Sequence, residues 1–335
     1  MANIRYCDPD AEVGGNGTTN ALTGANCAYK SLAIWEAARQ AVLTDIEECV
    51  CESNGGSHTA DTTAVIIDGW TTTSSYYIYI HTSAAGRHDG KWNTGKYRLA
   101  FASASNSYAI AVSESYVRIV GLQISADSTS TNTCEPIGFT ISIGSSSYYI
   151  VSHSILKGIN DAYGSGIYLN NAIGRIYNNI IYDMTGNTSY GVYTNVGAPA
   201  AIYIYNNTFV NCDYGIRGTA YAYAKNNVFR SNALAPTTNM TAANCGYNAT
   251  DAASLGYTAQ TGDRVSQTFT FADEAGDDFH LAANDAGARN YGISDPGSGL
   301  FSDDIDGQTR PGESVWDIGA DEYVVAGGGL FFLQG

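Results

Sequence analysis

Residues 166–182 read GIYLNNAIGRIYNNIIY, residues 191–210 read GVYTNVGAPAAIYIYNNTFV, and residues 215–229 read GIRGTAYAYAKNNVF. Each stretch opens on glycine, an aliphatic residue and a large third residue: Gly166-Ile167-Tyr168, Gly191-Val192-Tyr193 and Gly215-Ile216-Arg217. The openings lie 25 residues apart (166 to 191) and then 24 (191 to 215). A second short strand follows in each copy and ends in paired asparagines: Asn178-Asn179, Asn206-Asn207 and Asn226-Asn227. A third apolar strand comes next, Ile180-Ile181-Tyr182, Thr208-Phe209-Val210 and Val228-Phe229.

Self-similarity at such a period marks a solenoid, whose single rung cannot bury its apolar face alone and so shares one core with its neighbours. Three short strands per rung with asparagine at a corner point to a right-handed parallel β-helix. Asparagine tolerates the left-handed corner conformation and can hydrogen-bond to the asparagine of the next rung. A β-sandwich would call for hairpin turns instead of a constant period. Outward from the repeat, Val117 to Ile124 and Tyr149 to Leu156 read as less regular copies. Period-two alternation begins near residue 64, in Val65–Ile67, Tyr77–Ile80, Tyr116–Val120 and Phe139–Ile143, separated by Gly, Ser, Asn and Thr clusters.

Residues 31–43 form the one convincing helical stretch, with Ser31 as N-cap and Leu32, Trp35, Ala38 and Val42 on one apolar face. A helix ahead of many strands is expected to cap the open end of the solenoid. The fold class is therefore all-β, a right-handed parallel β-helix solenoid with an N-terminal capping α-helix. Residues 1–60 hold the first strand and capping helix, 61–235 the rungs, 236–325 the C-terminal rungs and cap, and 326–335 a Gly-rich linker with an apolar tail.

Composition agrees with that architecture. The 335 residues include 25 Tyr and 37 Gly, and only 14% are charged. The 16 basic and 32 acidic residues leave a net charge of −16. Nucleic acid is the first partner this excludes, because such binding draws on Lys and Arg neutralising phosphates. Anionic membranes are disfavoured for the same reason, and no apolar run reaches transmembrane length. No basic stretch with an apolar h-region opens the chain, so no secretory signal is read. Of the seven cysteines, Cys7, Cys27, Cys49 and Cys51 precede residue 52. A disulfide-stapled cap and buried free thiols both remain open.

The ends of the chain sharpen the family resemblance. Arg5-Tyr6-Cys7-Asp8-Pro9-Asp10 with Gly14-Gly15-Asn16-Gly17, then Tyr29-Lys30-Ser31-Leu32, resembles the first strand and capping helix of the pectate-lyase-like superfamily of right-handed β-helices. Asp278-Phe279-His280-Leu281, Asp304-Ile305-Asp306-Gly307-Gln308 and Asp317-Ile318-Gly319-Ala320-Asp321-Glu322-Tyr323 are similar to the terminal segment of many extracellular members. Gly69-Trp70-Thr71-Thr72 through Arg87-His88-Asp89-Gly90-Lys91-Trp92 looks like bacteriophage and environmental β-helix proteins. The resemblance implies the fold strongly and the function weakly. Neither the carboxylate and Arg/Lys pattern of the lyases nor the polygalacturonase Asn-Thr-Asp, Gly-His-Gly and Arg-Ile-Lys runs are found, so no catalytic residue is assigned.

Candidate binding residues are weighed against plain structural roles. Asp161, Asp183 and Asp213 follow the third strand of successive rungs and could stack as a carboxylate row, but their turns differ and solvated turn aspartates are the preferred reading. Arg87, His88 and Trp92 concentrate charge and an aromatic ring in one loop, a glycan-site pattern whose alternative is an ordered loop with Trp92 packed on the helix flank. Tyr168, Tyr193, Tyr177 and Tyr205 could line a flat face for sugars or a partner. Asp304, Asp306, Gly307 and Glu313 echo a Ca²⁺ loop, but the same stretch matches the terminal turn, which is preferred, and no cofactor or metal is assigned. Leu330, Phe331, Phe332 and Leu333 follow three glycines and read either as a cap over the last rung or as a docking peptide for assembly.

These readings converge on a structural virion or surface protein, of phage decoration or fibre/spike type, with glycan binding as a candidate property. Its expected partners are other virion or surface subunits in a homo-oligomer (a trimer is common in such spikes) and a host-surface glycan, and its place is the virion or the extracellular space. The alternative is a secreted polysaccharide lyase or glycoside hydrolase working in a β-helix groove.

Overall fold

A computed structural model describes residues 2–130, 132–140, 148–159, 164–170, 173–186, 188–195, 197 and 201–325. Three parallel sheets run the length of the solenoid. The first holds nine strands: Asn3–Cys7, Glu47–Cys51, Ile78–Thr82, Val117–Val120, Tyr148–Ser152, Ile173–Tyr177, Ile202–Tyr205, Ala222–Lys225 and Cys245–Gly246. The second holds seven, Arg98–Ser103, Gln123–Ser128, Ile155–Ile159, Ile180–Tyr182, Thr208–Val210, Val228–Arg230 and Ala249–Thr250. The third also holds seven, Val65–Ile67, Ser107–Val112, Cys134–Phe139, Ser165–Asn170, Tyr190–Asn195, Tyr214–Arg217 and Ala235–Thr238. From Ile78 onward the chain visits first, second and third sheet in turn, and the molecule is a right-handed parallel β-helix.

The repeat glycines owe their place to space. Ile167, Val192 and Ile216 stack inward in register while Tyr168, Tyr193 and Arg217 stack outward. A Cβ on Gly191 would lie 2.4 Å from the Phe209 ring, and one on Gly215 2.4 Å from the Phe229 ring. Glycine there lets Phe209 and Phe229 stack with centroids 5.2 Å apart in the centre of the core.

The paired asparagines divide their work. Asn178, Asn206 and Asn226 take the left-handed corner with φ of 52°, 49° and 56°. Asn179, Asn207 and Asn227 point inward and form a ladder, each accepting at Oδ1 from the backbone N–H of its counterpart one rung earlier. Asn227 N–H donates in turn to Asn248 Oδ1, and Asn248 N–H to the Asp263 carboxylate, which ends the ladder. All of these Asn side chains are fully buried, so each hydrogen bond prevents an unsatisfied polar group in the core.

After Asp251 the chain adds only a partial rung, pairing Arg264 in parallel with Ala249, before it leaves the solenoid. Leu255 and Tyr257 close the end of the core. Residues 267–323 then run back along the outside as a strap. Phe269, Phe271, Phe279, Leu281, Ile305, Ile318 and Ala320 cover the outer face of the second sheet, against Ile155, Ile180, Tyr182, Val210 and Val228. The corner asparagines hold the strap: Asn178 donates to the Asp303 carbonyl, Asn206 to the Asp317 and Gly319 carbonyls, and Asn226 to the Ile293 carbonyl. Arg310 and Glu322 form a fully buried ion pair at 2.9 Å inside it.

The helix covers the N-terminal rungs but spans only Leu32–Arg39, with Ser31 Oγ accepting from Ile34 N–H. Its face differs from the sequence expectation. Ala38 is exposed and Val42 lies past the helix, 70% exposed. Glu36 is buried instead, accepting from Trp70 Nε1, Gln40 Nε2 and Asp68 N–H. Of the strand expected over 139–143, Phe139 ends the strand Cys134–Phe139, Thr140 lies outside it, and residues 141–143 lie outside those described. All seven cysteines are buried and none forms a disulfide, so the disulfide alternative falls away. Burial pushes the Cys7 and Cys212 thiols up to about 12, a property of inert core cysteines.

Candidate functional site

The loop at residues 87–92 is turned toward the body of the molecule. Arg87 Nη2 donates to the Ile305 carbonyl of the strap. His88 is only 3% exposed and its Nε2 bonds the His153 carbonyl, so as a sugar-facing residue it is corrected: it is a buried, neutral histidine. Burial, then Arg87, lowers its pKa to about 3. Trp92 packs against the apolar cluster under the strap.

The aspartate row does not assemble as a carboxylate groove among the described residues, and Asp161 lies outside them. Asp213 is buried and accepts from the N–H groups of Thr188 and Ser189, a turn-capping role. Asp183 sits in a left-handed corner with Asn211 Nδ2 at 2.7 Å and Lys157 at 4.0 Å. Leu330, Phe331, Phe332 and Leu333 also lie outside the described residues. Glu313 is engaged by Arg289 and Asn290, apart from the carboxylate of Asp304, which caps its own loop through the N–H groups of Asp306 and Gln308.

The tyrosines separate into two groups. Tyr177 and Tyr205 are 8% and 6% exposed, under Phe301 and Trp316, and Tyr177 stacks on Phe301 at 4.7 Å. They do not form an exposed face. Tyr168 and Tyr193 stand on the outer face of the third sheet and line a groove of about 500 Å³ with Tyr108, Tyr190, Glu135, Ser165 and Arg217. The outward column of this sheet runs Gly138, Tyr168, Tyr193, Arg217 in register. A Cβ on Gly138 would fall 2.2 Å from the Tyr108 ring, so glycine lets that ring lie down beside Tyr168, 6.4 Å away and nearly parallel. Between the strands bearing Tyr108 and Arg217 lie four strand spacings, about 19 Å at ~4.8 Å each.

Polar groups punctuate this aromatic floor. Arg217 lies 4.6 Å over the Tyr193 ring and donates to the Tyr190 hydroxyl at 2.9 Å. Glu135 is buried at the wall, accepting from Ser165 N–H at 2.8 Å and Ser165 Oγ at 2.5 Å. Burial and the Glu135 carboxylate raise the Tyr108 hydroxyl above its ordinary pKa, keeping it a donor. Tyrosine faces with a flanking guanidinium and fixed hydroxyls present flat apolar area together with hydrogen-bond donors and acceptors, the chemistry a sugar ring demands. Sequence reasoning found Tyr168 and Tyr193. It missed Tyr108 and Glu135, which lie outside the clear repeats, and it passed over Arg217 although it occupies the tyrosine column.

A smaller aromatic recess of about 400 Å³ lies on the outer face of the first sheet, lined by Tyr77, Tyr116, Arg118, Tyr148 and Arg175. There Arg118 stacks on Tyr77 at 3.7 Å and Arg175 on Tyr148 at 4.8 Å.

Three stacked parallel sheets, a capping helix and an open outer face define the class: a right-handed parallel β-helix. No protein-family model and no curated protein matches the sequence. Among solved structures, one titled "Crystal structure of pectate lyase Pel9A" is 14% identical, covers 96% of this chain and 96% of that chain, and superposes with a TM-score of 0.37. The fold follows from the strand pairings themselves, and nothing about the groove is taken from that likeness.

Proposed function

We propose that this chain is a structural β-helix of a virion or cell surface whose third face binds a glycan along the Tyr108–Tyr168–Tyr193–Arg217 groove. The observation that carries the reading is the groove itself, an aromatic floor on the face that the strap leaves uncovered. A binding role is favoured over hydrolysis by the groove's charge. Among its described lining residues Glu135 is the one carboxylate, and Ser165 and Tyr108 already occupy it. Canonical glycoside hydrolysis needs two carboxylates across the scissile bond. Association with like subunits is part of the same proposal and rests on the sequence of the Leu330–Leu333 tail.

Affinity electrophoresis through gels containing neutral polysaccharides tests the groove. The wild type is expected to be retarded by at least one polymer, with the Tyr168→Ala/Tyr193→Ala protein migrating as in a blank gel. Equal retardation of both proteins would remove the groove from the account, and release of reducing ends or unsaturated sugars would favour the lyase or hydrolase reading. Light scattering of the full chain and of one ending at Val325 tests assembly: the full chain associates and the shorter one does not.

A further inference from the structure

We propose that His280, Asp306 and Asp321 bind one divalent transition-metal ion, Zn²⁺ by preference, which clasps the strap to itself over the second sheet. The site lies outside the glycan groove and does not depend on that reading. Its three donors come from three separated segments of the strap, and one donor atom of each lies within 4.8 Å of the others. An imidazole with two carboxylates suits Zn²⁺ or a neighbouring first-row ion, whereas Ca²⁺ takes six to eight oxygens.

Two features of the geometry point to an ion. His280 Nδ1 donates to Asp278 Oδ1 at 2.5 Å, and Asp278 is itself held by Lys91 at 3.2 Å. A carboxylate behind one ring nitrogen fixes the tautomer that offers the other nitrogen to a metal. Nε2 then faces Asp306 Oδ2 at 3.6 Å, too long for a hydrogen bond. It is close to the edge, about 3.4 Å, of a tetrahedron with metal–ligand bonds of ~2.1 Å. Gln308 Nε2 donates to the same Oδ2 at 3.0 Å and holds the carboxylate in place, while Asp306 Oδ1 is buried without a donor. Asp321 is 4% exposed and its Oδ2 accepts from Leu281 N–H, which aims the carboxylate.

The test titrates chelator-treated full-length protein with Zn²⁺ by calorimetry, and with Co²⁺ by visible absorption. One Zn²⁺ per chain is expected, retained in excess Ca²⁺, with Co²⁺ d–d bands. His280→Gln and Asp321→Asn are expected to lose the bands, and Asp278→Ala to weaken Zn²⁺ binding about 10-fold. If the variants fail to fold, the wild-type Co²⁺ spectrum and Zn²⁺ stoichiometry still decide. No stoichiometric Zn²⁺ binding, binding unchanged in folded His280→Gln, or sulfur-to-Co²⁺ charge-transfer bands assigning the ion to the buried cysteines would each overturn the proposal.

Discussion

The second and third sheets are built from the same repeat and end in opposite environments. Outward positions of the second sheet carry Ile155, Ile180, Val210 and Val228, and the strap covers them. Outward positions of the third carry Tyr168, Tyr193 and Arg217, and they stay open as a groove. Aliphatic side chains in water would leave a large apolar patch, whereas tyrosine and arginine offer an apolar body with a polar tip. The chemistry of the outward column thus decides which face the C-terminal strap takes. The first sheet shows both outcomes: Tyr177 and Tyr205 lie under Phe301 and Trp316, while Tyr77 and Tyr148 remain beside Arg118 and Arg175 in a recess.

That contrast is most sharply broken at the buried Arg310–Glu322 pair. Arg310→Ala leaves Glu322 uncompensated in the strap and is expected to cost about 3–5 kcal/mol. Urea unfolding measures the loss, and hydrogen exchange should place it first in residues 303–322. A cost below ~1 kcal/mol would mean that the strap is not coupled to the solenoid. Asn207→Ala removes a ladder rung and strands the Asn179 N–H, for an expected loss of about 2–3 kcal/mol in the same assay. Gly191→Ala drives a methyl into Phe209 and should cost about 1–3 kcal/mol, whereas Gly56→Ala, where no described atom lies within 4 Å of a Cβ, should cost far less.

pH acts on the strap through its buried carboxyl groups and His280. Asp304 rises to about 8 and Asp317 to about 7, both through burial first, while the unfolded chain releases these protons near pH 4. The folded protein therefore holds extra protons across that window, and stability falls as pH rises through it. His280, held to about 10, extends the loss into the alkaline range. The melting temperature is expected to decline steadily from pH 7 to 10, and an alkaline rise would contradict the charge assignment. The smallest stability effect belongs to the open face. Tyr193→Ala should lower unfolding free energy by about 1 kcal/mol or less while weakening glycan binding.

The rungs were legible because stacking imposes a period that single residues report directly: Gly166, Gly191 and Gly215, and the Asn pairs. The division of labour within each pair was not legible, since both asparagines suit a corner and only the returning strap gives Asn178, Asn206 and Asn226 something to hold. The three terminal motifs around His280, Asp306 and Asp321 were visible one by one, but their convergence depends on a strap that carries no period. The same holds for Arg87 and His88, whose charge suggested a surface loop until the strap covered them. Half of the groove could be read because Tyr168 and Tyr193 sit in the repeat. Glu135 sits in a strand broken by Pro136 and gave no such signal.

The most direct test of the account is oxidative footprinting of tyrosines with and without a saturating polysaccharide. Protection of Tyr108, Tyr168 and Tyr193, with Tyr77 and Tyr148 unchanged, is the predicted result. Protection confined to Tyr77 and Tyr148, or to none of the five, would contradict the assignment of the third face as the glycan-binding surface.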